Sequence, residues 1–241
     1  MLATANDPIG LACLDYLSGN KSGKIAVKSS LAEDDSIPVK YLFRKFYEMP
    51  ELEQKALLIC KGRVLDAGAG AGSHALYLQN KGVDVTALDI SPNASRAMQQ
   101  RGIKQVENLD FFKFEPEEKF DTILLLMNGI GFVGKVDRFP LFFQKARTLL
   151  NPGGQIVLDS TDVKYLFEDE DTQHLPEEMN HYYGEIEYRM SYKKSMGDAF
   201  NWLFIDEWLL KQQAENNGFH FEKLATGNYH DYLARLSLEI T

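Results

Sequence analysis

The stretch Arg63-Val64-Leu65-Asp66-Ala67-Gly68-Ala69-Gly70-Ala71-Gly72-Ser73-His74-Ala75-Leu76 constrains the fold more than any other part of the chain. A short apolar run, Val64-Leu65, ends in an acid and then in a turn with glycines at alternate positions. Beyond it Ala75, Leu76 and Leu78 lie on one side of a helical pattern, and Ser73 stands where a hydroxyl caps a helix N-terminus. Strand, glycine turn and helix in this order form the first unit of a doubly wound parallel sheet. Gly68, Gly70 and Gly72 let the backbone approach a bound group where a Cβ would stand in the way. A second apolar run, Val83-Asp84-Val85-Thr86-Ala87-Leu88, ends in Asp89, with Ile90 next. An acid at the end of the second strand is placed to accept hydrogen bonds from ribose hydroxyls.

The glycine spacing separates two nucleoside cofactors. A dinucleotide fingerprint needs glycine or alanine in its last place, where this chain has Ser73. From Asp66 to Gly72 the spacing is acid-x-Gly-x-Gly-x-Gly. It resembles motif I of the class I methyltransferases, which use S-adenosylmethionine (SAM). Leu149-Leu150-Asn151-Pro152-Gly153-Gly154 resembles the Leu-x-Pro-Gly-Gly turn of the same family, a conformational signature independent of the first loop. The resemblance is good over residues 60–160 and rests on layout elsewhere. It implies an α/β fold with a doubly wound, seven-stranded, mostly parallel sheet and an antiparallel last strand. An N-terminal helical extension and an inserted β-hairpin are added to it.

The resemblance also implies a cofactor site, residue by residue. Asp66, Gly68, Gly70 and Gly72 would hold the methionine part of SAM, and Asp89, with Ile90 beside it, the ribose. Asp110 would accept from the adenine amino group and Phe111 would pack on the ring. Asn128, in Asn128-Gly129-Ile130-Gly131-Phe132 at the motif IV position, would hydrogen-bond SAM or the acceptor. No prolines follow Asn128, which sets the chain apart from enzymes that methylate amino groups of DNA bases.

Composition narrows the partners. A chain of 241 residues, 44% hydrophobic and 25% charged, is ordinary globular material and suits one domain. A net charge of −9 with no Lys/Arg cluster argues against a nucleic-acid groove. Two cysteines are too few for a disulfide framework and suit a reducing cytoplasm, with Cys60 read as a buried structural thiol. No signal peptide and no membrane-span run is visible. A small-molecule acceptor leads, with a protein side chain second; the oligomeric state stays open.

Along the chain, residues 1–60 form an extension and a candidate lid. Within it 9–17 and 51–60 are read as helices, 20–23 as a turn, 25–27 as a short extended piece and 30–35 as a polar loop. Arg44 is the cation in this segment that would meet the SAM carboxylate. Ser91-Pro92-Asn93 starts a helix to about Arg101, closed by Gly102. Residues 103–109 are read as a strand, and 120–127 as a strand buried on both faces. Residues 136–150 form an amphipathic helix anchored by Leu141, Ala146, Leu149 and Leu150. With 61–160 as the cofactor core, 161–206 is a substrate-side insertion. It holds an acidic loop at 168–178 and a hairpin of 185–192 with 200–205 around a turn at 195–198. Tyr182, Tyr183, Tyr188 and Trp202 are its candidate pocket residues. Residues 207–241 supply a last helix, 207–217, and the final strand pair.

Methyl transfer from a sulfonium needs alignment and water exclusion, and a general base only when the acceptor arrives protonated. His230, Tyr229, His181 and Glu185 are the candidates, and none is singled out as catalytic. Two other readings stand beside this one: an NAD-dependent oxidoreductase, and a non-catalytic SAM-binding sensor or scaffold.

Overall fold

The computed structural model describes residues 6–31, 33–167 and 179–238. The acidic loop expected at 168–178 lies outside the described residues. In chain order the strands are β1 (Lys24–Ser29), β2 (Asp35–Pro38), β3 (Val64–Ala67), β4 (Val85–Leu88), β5 (Gln105–Glu107), β6 (Phe120–Leu125), β7 (Leu150–Thr161), β8 (Glu185–Tyr192), β9 (Ser195–Met196), β10 (Phe200–Leu203), β11 (Phe219–Thr226) and β12 (Asp231–Leu238). The helices are α1 (Pro8–Leu17), α2 (Glu51–Ile59), α3 (Ser73–Asn80), α4 (Pro92–Gln100), α5 (Phe139–Leu149) and α6 (Glu207–Asn216).

Seven strands form the main sheet in the order β11-β12-β7-β6-β3-β4-β5. β3 pairs in parallel with β4 and β6, and β12 runs antiparallel to β7. All four residues of β3 and of β4 are buried, as they must be in strands covered on both faces. The pleat sends neighbours to opposite sides. Leu65, Ile123 and Leu125 join the phenylalanine-rich core around Phe120, Phe139, Phe142 and Phe143. Val64 and Leu124 join the core that α2 and α3 cover. The polar Leu150-Asn151-Pro152-Gly153-Gly154 turn is absorbed into β7. Phe120 pairs with Leu150 and Thr122 with Gln155, so the intervening residues bulge, with Gly153 at φ 71°.

Helix starts follow the sequence where a cap is present. Ser91 accepts from the Ala94 N–H with Pro92 in the first turn of α4, and Gly102 at φ 84° follows its end. Two details differ. β5 is shorter than the 103–109 expected, and Leu141, expected as an anchor, is 48% exposed. The buried face of α5 is Phe139, Phe142, Phe143, Ala146 and Leu149.

The larger correction concerns residues 1–60. They are more than a helical extension, because β1 and β2 build a second sheet in the order β10-β8-β1-β2, with β9 paired to β8. The expected hairpin exists, with Trp202 opposite Ile186, and β1 covers its other edge, with Val27 opposite Met190. A two-stranded hairpin alone is marginal, and the added strands complete it. The segment read as a polar loop, 30–35, ends in β2. Asp7 fixes this unit to the main domain: its carboxylate accepts from Gly10 N at the start of α1 and from Ser91 Oγ (2.6 Å) and Asn93 N at the start of α4. No helix among the described residues is long and apolar enough to cross a membrane.

Candidate active site

β3 delivers its C-terminal end into the glycine loop. Gly68 and Gly70 have φ of 79° and 56°, and a Cβ on either would point into open space. Gly72 differs. Its φ is 77°, and a Cβ there would lie 2.3 Å from Ile103 Cδ1 and 2.9 Å from Met98 Cγ, so this glycine serves packing. Asp89 holds the loop from the next strand. Its Oδ2 accepts from Gly70 N (2.7 Å) and its Oδ1 from Ser91 N (2.8 Å). Burial pushes the Asp89 carboxyl up to about 6, against the pull of these two N–H groups, with Asp7 and Asp66 adding to the rise. A carboxylate offers about four acceptor positions, so two remain. Ile90 beside it is 42% exposed. Half-buried Asp110 accepts from Phe112 N (2.9 Å).

Other expected site residues stand behind this surface. Asp66 is 2% exposed and its Oδ2 accepts from Ala75 N (3.1 Å), so it is the acid that caps α3. Ser73, expected as that cap, instead donates to the Leu42 carbonyl (2.7 Å). The position preceding α3 is Gly72, whose left-handed backbone makes the turn without a side chain. Phe111 is 6% exposed and packs with Phe132 and Phe142 in the core.

Arg44 is buried. It stacks on Tyr41 with its guanidinium carbon 3.4 Å from the ring centroid, and Nη2 donates to both oxygens of Glu53 (2.8 and 3.0 Å). His74 Nε2 meets Glu53 Oε2 at 2.8 Å. Glu53 and the nearby Asp66 raise the His74 imidazole above its ordinary value, although burial opposes them. A chain of alternating charge thus joins the N-terminal segment to the glycine-loop helix. The sequence pointed to Arg44 but neither to Glu53, its partner, nor to His74, the partner of Glu53.

At the ends of β6 and β7 the chain makes a strained turn. Met127 and Asn128 both have positive φ, 60° and 54°, a costly conformation for residues with a Cβ. Asp159 holds it: one oxygen accepts from Met127 N (3.2 Å), the other from Asn128 N (2.8 Å). Burial pushes the Asp159 carboxyl up to about 7, while the Asn128 and Met127 N–H groups pull it down. A cavity of about 230 Å³ opens here, lined by Tyr41, Glu53, Met127, Asn128, Asp159 and Asp231 among others. A second cavity, about 380 Å³, shares Thr161 and Asp231 with it and has Tyr165, Tyr188, Phe204 and Tyr229 in its walls. Asp159 had escaped notice. Its signal was the one used for Asp66 and Asp89, an acid closing an apolar strand.

Of the expected pocket residues, Tyr188 lines the second cavity. Tyr182 donates to Asp206 and Tyr183 to Asp162, which locks the approach to β8. Trp202 packs on Gly131, where a Cβ would come within 2.2 Å of its indole nitrogen. Of the candidate bases, Glu185 accepts from Val136 N, His181 contacts the Tyr182 carbonyl, and His230 stacks on Tyr165. Tyr229 is 80% exposed at the mouth of the second cavity. Burial pushes both thiols, Cys13 and Cys60, up to about 12, so neither is a ready nucleophile.

Residues 40–224 match the family model described as a methyltransferase domain. The chain belongs to that family. Its fold agrees. A SAM-dependent methyltransferase of Bacteroides fragilis, solved with S-adenosyl-L-homocysteine, is 45% identical, with a TM-score of 0.91 over 99% of this chain and 97% of the other. The CcbJ methyltransferase of Streptomyces caelestis, 14% identical, shares the fold at a TM-score of 0.66 over 98% of this chain and 99% of its own. A probable thiol methyltransferase of Arabidopsis thaliana is 33% identical over 107 residues, which is 40% of this chain and 45% of the relative. The chain spans less than half the length of the curated relatives it matches. The class I methyltransferase resemblance of the sequence and the mostly parallel seven-stranded sheet are thus the family's own.

Proposed function

We propose that this protein transfers the methyl group of SAM to a small-molecule acceptor. One observation carries the reading: beside the open glycine cradle at Gly68 and Gly70, the chain holds two unmatched buried polar atoms of opposite kind. Arg44 Nη1, a donor, and Asn128 Oδ1, an acceptor, are buried with no hydrogen-bond partner among the described residues. An α-amino acid end supplies both complements, a carboxylate for the first and an ammonium for the second. Asp89 keeps two acceptor positions for ribose hydroxyls, with exposed Ile90 next to it in the chain and half-buried Asp110 as the acceptor for the adenine side.

SAM, when bound, supplies a methyl group already activated on a sulfonium. The work left to the protein is alignment and exclusion of water. The rigid β6–β7 ends and the Asp159-held turn fix Asn128, and the Arg44–Glu53–His74 chain fixes the N-terminal segment against the loop. The same reading places the chain in a reducing compartment, the cytoplasm, which its two free cysteines suit.

The test uses SAM tritiated in the methyl group and a small-molecule extract freed of macromolecules. Label is expected in the small-molecule fraction, in step with release of S-adenosylhomocysteine. Binding without transfer would replace the enzyme by a sensor or scaffold.

A further inference from the structure

We infer that the cavity between the two sheets is the acceptor site and that it takes a cationic amine with a flat or apolar body. The inference rests on the proposed methyl transfer, and it names the substrate class of that site.

The size and walls come first. At about 380 Å³ the cavity falls in the range of small-ligand sites, and its walls are Ile186, Val163, Leu166, Phe204 and tyrosine rings. It meets the smaller cavity at Thr161 and Asp231, so a molecule lodged among the rings reaches toward Asn128 and Asp159.

Charge decides the class. Among the described residues no lysine, arginine or histidine lines either cavity. Three carboxylates line the smaller one: Glu53, Asp159 and Asp231. Glu53 is already matched by Arg44 and His74. Asp159 and Asp231 make no ion pair among the described residues; their hydrogen bonds come from the backbone N–H groups of Met127, Asn128 and Tyr229. A carboxylate, phosphate or thiolate acceptor lodged in the larger cavity would meet no cation among its lining residues. A cation finds carboxylates that carry no ion pair among the described residues and the tyrosine rings of the larger cavity, Tyr188, Tyr229 and Tyr165, the last with one face already stacked on His230.

The same arrangement handles the proton. An ammonium has no lone pair and cannot attack a methyl carbon. Asp159 takes one proton from it: the N–H bond breaks, its electron pair stays on nitrogen as the nucleophilic lone pair, and an O–H bond forms on Asp159. The charged groups around that carboxyl are Glu53 on α2, His74 on α3 and Asp231 on β12; burial first and Glu53 after it lift the carboxyl to about 7, against His74, so its ionised form takes the proton above that value.

Calorimetry on the full chain saturated with S-adenosylhomocysteine tests this with three probes of one shape: 2-phenylethylamine, 3-phenylpropanoate and 2-phenylethanethiol. The amine is expected to bind at least tenfold tighter than either other probe. Tyr229→Ala and Tyr165→Ala, both at exposed positions, are expected to weaken it at least fivefold. Repeating the titration in buffers of different ionisation enthalpy reads the proton balance, and Asp159→Asn is expected to change it. Equal or tighter binding of the carboxylate or thiol overturns the inference, as does amine binding that ignores both tyrosine substitutions. Binding of S-adenosylhomocysteine with no probe bound also overturns it while leaving the methyltransferase reading intact. Failure of S-adenosylhomocysteine itself to bind overturns that reading and the inference with it.

Discussion

Two buried ionic residues show what single side chains contribute. Arg44 neutralises Glu53, which is 4% exposed, and removing it leaves a carboxylate with only His74 opposite. Arg44→Ala is expected to cost about 3 kcal/mol in urea unfolding, and Arg44→Ala/Glu53→Gln less than the two single changes summed. Additive costs would contradict the pairing. Asp159 has the opposite character. Its carboxyl sits at about 7, above the ordinary carboxylate value, so between about pH 4 and 7 the folded chain holds a proton that the unfolded chain has lost. Stability therefore falls as pH rises through that window and levels above it. Asp89, at about 6, adds to the same fall, and His74, raised in the fold, loses its contribution as pH rises further. The decline in Tm from pH 5 to 7 is expected to be shallower in Asp159→Asn than in the parent. An unchanged slope would remove Asp159 from the account. None of this was visible in the sequence, because a pairing between residues 44, 53 and 74 depends on how α2 lies against α3.

At the scale of elements, the glycine loop was legible and its division of labour was not. Regular spacing in Asp66-Ala67-Gly68-Ala69-Gly70-Ala71-Gly72 marks strand, turn and helix, and all three formed where expected. Spacing says nothing of which glycine faces a ligand and which faces Ile103. Substitution separates them. Gly68→Ala meets no atom within 4 Å and carries only the left-handed penalty, about 1–2 kcal/mol, yet its methyl enters the space proposed for the cofactor. It is expected to lose at least tenfold in S-adenosylhomocysteine affinity. Gly72→Ala adds overlap with Ile103 and Met98 and is expected to cost about 2–4 kcal/mol in denaturant unfolding. Equal stability losses at the two positions would contradict the assignment. The capping of α3 by Asp66 was missed for a related reason. A serine in the right place satisfies the local rule, and the competing acid lies one strand back, brought round by the turn.

Across the whole molecule, local patterns gave the seven-stranded sheet because its strands are apolar, ordered along the chain and separated by helices of ordinary length. The second sheet was hidden because it joins β1 to β8 across more than half of the chain, and no local pattern encodes that pairing. Yet this sheet, together with the end of β7, makes the larger cavity, so the side proposed for the acceptor was the part least readable from sequence. The glycine loop and Asp89 are proposed to form a SAM site. Calorimetric titration with S-adenosylhomocysteine and, separately, NAD, on the parent protein and on Asp89→Ala, tests it most directly. Binding of S-adenosylhomocysteine alone is expected, at least tenfold weaker in Asp89→Ala, because the substitution removes both the proposed ribose acceptor and the partner of Gly70 N. Binding of NAD alone, or S-adenosylhomocysteine affinity untouched by the substitution, would contradict it.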